Sequence, residues 1–183
     1  LGLGEKYLRS LNAQIVYVSI SGFGETGPLR NNRVYDPVIQ AISGLTDIQS
    51  GNSQRPKMMR TVIPDKVTAL KAAQAITAGL LYRSRMAKGC HIRLSMLDAM
   101  IAFLWPEGMM NHTLAANQDD TAKEGQIAQD LIFKTLDSYI TVGAMSDSEW
   151  KGLCEVLERP AWITDPRFKD TSLRLKNAKV RLK

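Results

Sequence analysis

Ile15-Val16-Tyr17-Val18-Ser19-Ile20 is a continuous apolar, β-branched run directly after a short helical stretch, Glu5 to Asn12. Strands with one wet face alternate apolar and polar residues. An unbroken run fits a parallel strand covered on both faces. A parallel strand in turn implies helices between it and its neighbours, which makes this an α/β chain.

The residues that follow fit that class. A glycine-rich loop, Ser21 to Pro28, leads to Asp36-Pro37, read as an N-cap and first helical residue, with Gly44 as the stop. Thr46 to Lys57 reads as a loop. From Asp65 to about Arg85 the sequence predicts a long helix with one polar stripe, Thr68, Lys71, Gln74 and Thr77, and apolar or small residues elsewhere. Such a helix is expected to be buried on most sides. Its last turn holds Arg83 and Arg85, and Gly89 reads as its cap. His91 to Met96 predicts a second strand and Asp98 the start of another helix, giving the order α-β-α-α-β-α. Asn111 to Asp130 reads as a linker. Beyond it, Leu131–Leu136 and Tyr139–Val142 flank a turn at Asp137-Ser138. Ser146 and Glu149 then form a capping box ahead of Trp150, Leu153, Val156 and Leu157. The expected organisation is a large-domain segment at 1–112, a linker at 113–129 and a smaller α+β domain from 130 to 183. Both ends read as cut, since the chain opens beside a helix and closes inside one.

Composition narrows the function. No apolar run approaches the roughly 20 residues of a membrane span, and Gly4-Glu5-Lys6 interrupts any signal-peptide core. The expectation is a cytoplasmic protein without a membrane partner. Cys90 and Cys154 are isolated, and His91 and His112 are the only histidines, so neither a disulfide framework nor a metal site is expected. The net charge is +6, and Arg174, Lys176, Lys179, Arg181 and Lys183 form a basic C-terminal stretch. No aromatic residues interleave with these cations as a nucleic-acid stacking platform requires, so a solvated helix face is the expected role.

Two motifs carry chemistry. Gly22-Phe23-Gly24-Glu25-Thr26-Gly27 has the spacing of a dinucleotide fingerprint, but no helical periodicity follows the third glycine. A pyrophosphate would have no helix N-terminus to meet. Asp65 stands at the start of the most apolar helix, and on spacing alone it is an N-cap. A helix N-terminus also favours an ionised carboxylate, and a partly enclosed one is a competent nucleophile toward a thioester.

The strings Ile15 to Pro28, Val34-Tyr-Asp-Pro-Val-Ile-Gln-Ala-Ile-Ser-Gly44 and Tyr82-Arg-Ser-Arg-Met-Ala-Lys-Gly-Cys-His-Ile-Arg-Leu-Ser-Met-Leu-Asp-Ala99 resemble, in order and spacing, the family III CoA-transferases of CaiB/BaiF type. Pro160-Ala-Trp and Asp165-Pro-Arg-Phe168 extend the likeness more weakly. The resemblance implies a fragment of a Rossmann-like parallel-sheet large domain followed by the start of a small α+β domain. For the full-length protein it implies an interlocked homodimer. It places the catalytic aspartate at Asp65, an aromatic and an acid beside it at Tyr35 and Asp36, and coenzyme A contacts at Arg33, Met96 and Leu1. From the residues alone, Tyr35 is a packed aromatic, Asp36 a cap and Met96 core. The glycine run that covers the reacting centre in formyl-CoA transferase has no counterpart in Asn111–Asp130, which holds only Gly125.

The implied reaction passes coenzyme A, as co-substrate, from an acyl-CoA to a free carboxylic acid through a covalent aspartyl intermediate. Each step exchanges acyl bonds of similar energy, so neither ATP nor a metal is required, and amides around Gly22–Gly27 are candidate oxyanion donors. A 2-methylacyl-CoA racemase on the same fold would need acid/base groups on both faces of the α-carbon, and racemases carry His where this chain has Tyr35. A third reading is a non-catalytic piece that only assembles or binds a partner.

Overall fold

Strand β1 (Val16–Ser21) pairs in parallel with β2 (Cys90–Ser95), with Val16 opposite Cys90 and Ser21 opposite Ser95. A computed structural model describes residues 2–50, 53, 55–109 and 131–181. Leu1 and the linker expected at Asn111–Asp130, with His112 and Gly125, lie outside the described residues. The chain divides into two compact units, one ending at Met109 and one beyond it.

In the first unit the elements run α1 (Glu5–Leu11), β1, α2 (Asp36–Ile42), α3 (Leu45–Ile48), α4 (Ile63–Met86), β2, α5 (Met96–Phe103) and α6 (Trp105–Met109). The chain between the two strands therefore crosses over through three helices, as parallel pairing demands. Helix α3 stands inside the stretch read as a loop. Among the described residues the sheet has two strands, and they are half-buried rather than covered on both faces. One face packs against α4. There Gly79 admits the sheet closely, because a Cβ would lie 2.9 Å from Val16 Cγ1 and 3.0 Å from Ile92 Cδ1. The alternate positions carry polar groups: Ser19 Oγ is 2.7 Å from His91 Nε2, and Arg93 Nε donates to Glu25 at 2.7 Å.

Helix α4 departs from expectation at both ends and along its length. It begins at Ile63, two residues before Asp65, and ends with Ala87 in the left-handed region (φ 52°), not with Gly89. Gly89 has another task, since a Cβ there would stand 2.1 Å from Ile15 O, where the chain enters β2 beside β1. The buried positions of α4 are one narrow stripe, Pro64, Val67, Thr68, Ala72 and Gly79. Thr68 thus lies inside, its hydroxyl donating to Pro64 O at 2.7 Å. Leu70, Ile76, Leu80 and Leu81 are exposed, Leu70 by 69%. The helix is apolar on more faces than this unit covers.

The core of the unit is Ile39, Leu45, Val67, Ala99 and Met100, drawn from α2, α3, α4 and α5, together with Leu104 at the cap position that ends α5. Phe23, Val34, Met59, Ile63 and Met96 pack against it.

In the second unit β3 (Ile132–Lys134) and β4 (Tyr139–Thr141) pair antiparallel, each shorter than the Leu131–Leu136 and Tyr139–Val142 stretches read on either side of the turn. The connection is four residues, Thr135–Ser138, closed by Thr135 N–H to Ser138 O and Ser138 N–H to Thr135 Oγ1, each 2.9 Å. The capping box on the Asp147–Val156 helix is present: Glu149 N–H donates to Ser146 Oγ at 3.2 Å, and Ser146 N–H returns to Glu149 Oε2 at 2.8 Å. That helix buries Trp150 and Cys154, while Val156 and Leu157 are exposed. Trp150, Cys154 and Phe168 form the core, with Trp162 stacked on Trp150 at 6.1 Å between ring centres. The expected C-terminal helix is two short ones, Thr171–Lys176 and Ala178–Arg181, parted at Asn177. Nor is its basic stretch a solvated face throughout. Arg174 is only 2% exposed, donating to Asp147, Thr171 Oγ1 and Phe168 O and lying over the Trp150 ring.

Two outcomes follow from these exposures and bonds. Expressed alone, the 183-residue chain should self-associate or melt without cooperativity, because the bare side of α4 adds to the apolar area that soluble monomers rarely leave open. A monodisperse, cooperatively melting monomer in sedimentation and calorimetry would contradict this. In the second unit, the backbone N–H groups of Ser146 and Met145 and the Ser146 hydroxyl hold the Glu149 carboxyl below its ordinary range. A depressed folded-state value stabilises above the unfolded value and is lost as pH falls through the folded one. Glu149→Gln should therefore lower the melting temperature at pH 7. The gap to wild type should close as pH falls below roughly 4.3.

Candidate active site

The first turn of α4 organises the site. A helix leaves its first N–H groups without intrahelical partners, and Val62, at the cap position, has no side-chain acceptor. Ile63 N–H reaches Thr61 O at 2.9 Å, Pro64 has no N–H, and Lys66 N–H reaches Val62 O at 3.2 Å. Asp65 N–H donates at 3.2 Å to Asp36 Oδ2, from a residue 29 positions upstream. Asp36 therefore caps α4 in space, and Asp65, the third helical residue, does not cap it. The Asp65 carboxylate is exposed, not partly enclosed, and accepts no hydrogen bond from a described residue. It sits where a helix stabilises negative charge.

Asp36 is 6% exposed and is the first residue of α2, whose cap position is Tyr35. Both of its oxygens are engaged, Oδ2 by Asp65 N–H and Oδ1 by Gln40 Nε2 at 2.7 Å. The segment entering α2 is extended and alternates. Arg33 and Tyr35 point to solvent, Tyr35 with 72% exposure, while Val34 and Asp36 turn inward. Tyr35 is thus an exposed aromatic, not a packed one.

Val34 fixes this segment to the glycine loop, since a Cβ on Gly22 would stand 2.0 Å from Val34 Cγ1. Gly22 O accepts from Leu97 N–H at 3.1 Å, which ties the loop to the start of α5, where Met96 packs on the core. Gly24 adopts φ 87°, and its N–H is taken by Ser21 Oγ at 3.0 Å, which removes it from the oxyanion donors proposed for this loop. Turns, not a helix, follow Gly27, and the dinucleotide geometry is absent.

Asp65 and Asp36 are thus joined directly. Tyr35 and Arg33 stand on the same segment as Asp36, and Met96 flanks the core shared by α2, α4 and α5. Leu1 lies outside the described residues. Gln40 was not singled out by the sequence reading, although its place four residues after Asp36 on one helix face was a usable signal. Among the described residues no group of three or more His, Cys, Asp or Glu is arranged to hold a metal ion, and no helix is long and apolar enough to cross a membrane.

Comparison with known proteins gives these residues a context. Residues 1–183 match CoA-transferase family III. The human succinyl-CoA:glutarate CoA-transferase is 33% identical across 100% of this chain and 42% of its own length. The acetyl-CoA:oxalate CoA-transferase of Acetobacter aceti is 32% identical across 97% of this chain and 46% of its own. Among solved structures, a hypothetical protein from Mycobacterium tuberculosis superposes with a TM-score of 0.82 at 27% identity, covering 98% of this chain and 48% of that one. A CaiB/BaiF family protein from Brucella suis does so with 0.76 at 27% identity and the same coverage. The chain spans less than half the length of these relatives. Its mixed α/β architecture with a parallel strand pair is a portion of the CaiB/BaiF fold, and the chain belongs to CoA-transferase family III.

Proposed function

We propose that the whole protein transfers coenzyme A from an acyl-CoA to a free carboxylic acid, with Asp65 as the covalent nucleophile. The observation that carries this reading is the uncommitted, exposed Asp65 carboxylate in the first turn of α4, its backbone held by Asp36. An Asp65 oxygen attacks the thioester carbonyl and expels the coenzyme A thiolate, leaving an acyl-aspartyl anhydride. The thiolate then attacks the aspartyl carbonyl, forming an aspartyl-CoA thioester and releasing the donor carboxylate. The acceptor carboxylate reverses both steps, departs as the new thioester and regenerates Asp65. Positioning of the carboxylate against the thioester and stabilisation of the developing oxyanion are what the protein must supply.

In this reading Arg33 and Met96, and Leu1 beyond the described residues, contact coenzyme A, and Tyr35 borders the reacting acyl group. The division at 1–112, 113–129 and 130–183 into large-domain segment, linker and small domain belongs to the same proposal, as does a homodimer of the full-length protein. Relatives are named for glutarate, oxalate and, in Haloarcula hispanica, mesaconate. We therefore place the acceptor among the dicarboxylic acids. Tyr35 in place of the histidine of the racemase reading argues for transfer, because a phenol is a poor substitute for an imidazole in moving a proton on and off the α-carbon.

The decisive measurement is transfer by Asp65→Ala in the full-length protein, over a panel of acyl-CoA donors and dicarboxylate acceptors. Activity should fall by several orders of magnitude, about 10⁶ in well-studied losses of a covalent nucleophile. Binding of coenzyme A should persist. Because the Asp65 side chain caps nothing, the variant should keep the wild-type fold. Hydroxylamine added with acyl-CoA should leave a hydroxamate on Asp65, read by peptide mass spectrometry. Retention of more than a few per cent of activity, or a label on another acid, would refute the assignment. Exchange of the α-proton without acyl transfer would favour the racemase.

A further inference from the structure

Gln40 is 3% exposed, and both ends of its amide are engaged. Its Oε1 accepts from Met59 N–H at 2.9 Å. Its Nε2 donates to Asp36 Oδ1 at 2.7 Å and Thr61 O at 3.2 Å, with Met59 O at 3.4 Å. The orientation is fixed by chemistry. A flipped amide would set its oxygen against a carboxylate and two carbonyls, and its NH2 against the Met59 N–H.

These contacts lead to one place along two routes. Met59 to Thr61 is the backbone that enters α4, and Thr61 O receives the Ile63 N–H at the first helical residue. Asp36, oriented by Gln40, receives the Asp65 N–H. The geometry points to Gln40 as a positioning residue that acts through Asp36 to set where the Asp65 carboxylate stands relative to a bound thioester. The inference rests on Asp65 being the nucleophile. A reacting oxygen must come within about 3–3.5 Å of the carbon it attacks, and a misplacement of about 1 Å costs about 100-fold. Loss of the Gln40 amide frees Asp36 to rotate and leaves Met59 N–H without its acceptor, so the first turn of α4 shifts, while the proposed coenzyme A contacts Arg33 and Met96 lie outside that turn.

The test uses the full-length protein and steady-state transfer. Gln40→Ala should lower kcat about 10- to 100-fold with KM for acyl-CoA nearly unchanged. Gln40→Glu guards against a packing defect, because it keeps the side-chain volume and the acceptor for Met59 N–H. It presents oxygen to Asp36 and should lose kcat to a similar degree. If Gln40 acts through Asp36, the Asp36→Ala/Gln40→Ala double variant loses much less than the product of the single losses. Hydroxamate labelling separates the two claims. A wild-type label on an acid other than Asp65 overturns the nucleophile, whereas a label that reaches Asp65 at the wild-type rate in Gln40→Glu overturns the positioning role. So does any of four further results: kcat above half of wild type in either Gln40 variant, a loss confined to KM, losses that multiply in the double variant, or loss of native circular dichroism by both single variants.

Discussion

The buried carboxylate of Asp36 at the head of α4 is the interaction on which the candidate site depends. A 24-residue helix that opens Val62-Ile63-Pro64 carries no acceptor of its own at the cap position. Its donors are met by two nearby carbonyls, by the proline's lack of an N–H, and by an acid from a different helix. An Asp36 without its two donors would be a buried, unpaired charge, and an Asp65 N–H without Asp36 would lack its acceptor. Each completes the other. The head of α4 and the start of α2 are therefore assembled by the same bonds that place the two acids side by side.

Close backbone approaches hold the surrounding frame. Gly22 against Val34, Gly79 against Val16 and Ile92, and Gly89 against Ile15 O are all contacts that a single Cβ would block. The first seats the segment from Arg33 to Asp36 on the glycine loop. The second seats α4 on the strands. The third aligns β2 with β1, which delivers Ser95 to cap α5 through its hydroxyl. The core residues Ile39, Val67 and Met100, from three different helices, then lock these placements together, since close-packed interiors have low compressibility and a shift of one helix is felt by the others.

What the sequence made legible was local. The β-branched run at Ile15–Ile20, the Ser146–Glu149 box and the Thr135–Ser138 connection depend on neighbours within a few residues, and each stands close to where it was expected. Asp65 was read as a cap because spacing reveals only that an acid lies near a helix start, not which acid from elsewhere already holds the N–H. The stripe Thr68, Lys71, Gln74 and Thr77 misled for a related reason. Thr68 can be buried once its hydroxyl bonds to Pro64 O, so polarity does not mark the wet side there. Arg174 is buried because Asp147 and two oxygens from the Phe168–Thr171 stretch meet it. Those partners are up to 27 positions away, and no charge pattern in its own helix announces them.

Two carboxylates within one hydrogen-bonded unit also raise the question of which can do chemistry, and their environments answer it differently. Asp36 could form a covalent bond only by giving up an acceptor oxygen. That would strand a donor, either the part-buried Asp65 N–H or the buried Gln40 amide, at a cost of about 1–3 kcal/mol where the donor is buried. Because the Asp65 N–H stands on the same helix turn as any reacting group there, the loss would also disturb the geometry the reaction needs. Asp65 carries no such debt. Its oxygens accept nothing from the described residues and face outward from the first turn, so it can gain and lose an acyl group without breaking a bond that holds the fold. This division, one acid committed to structure and its neighbour left free, supports assigning the chemistry to Asp65 and the placement of that chemistry to Asp36.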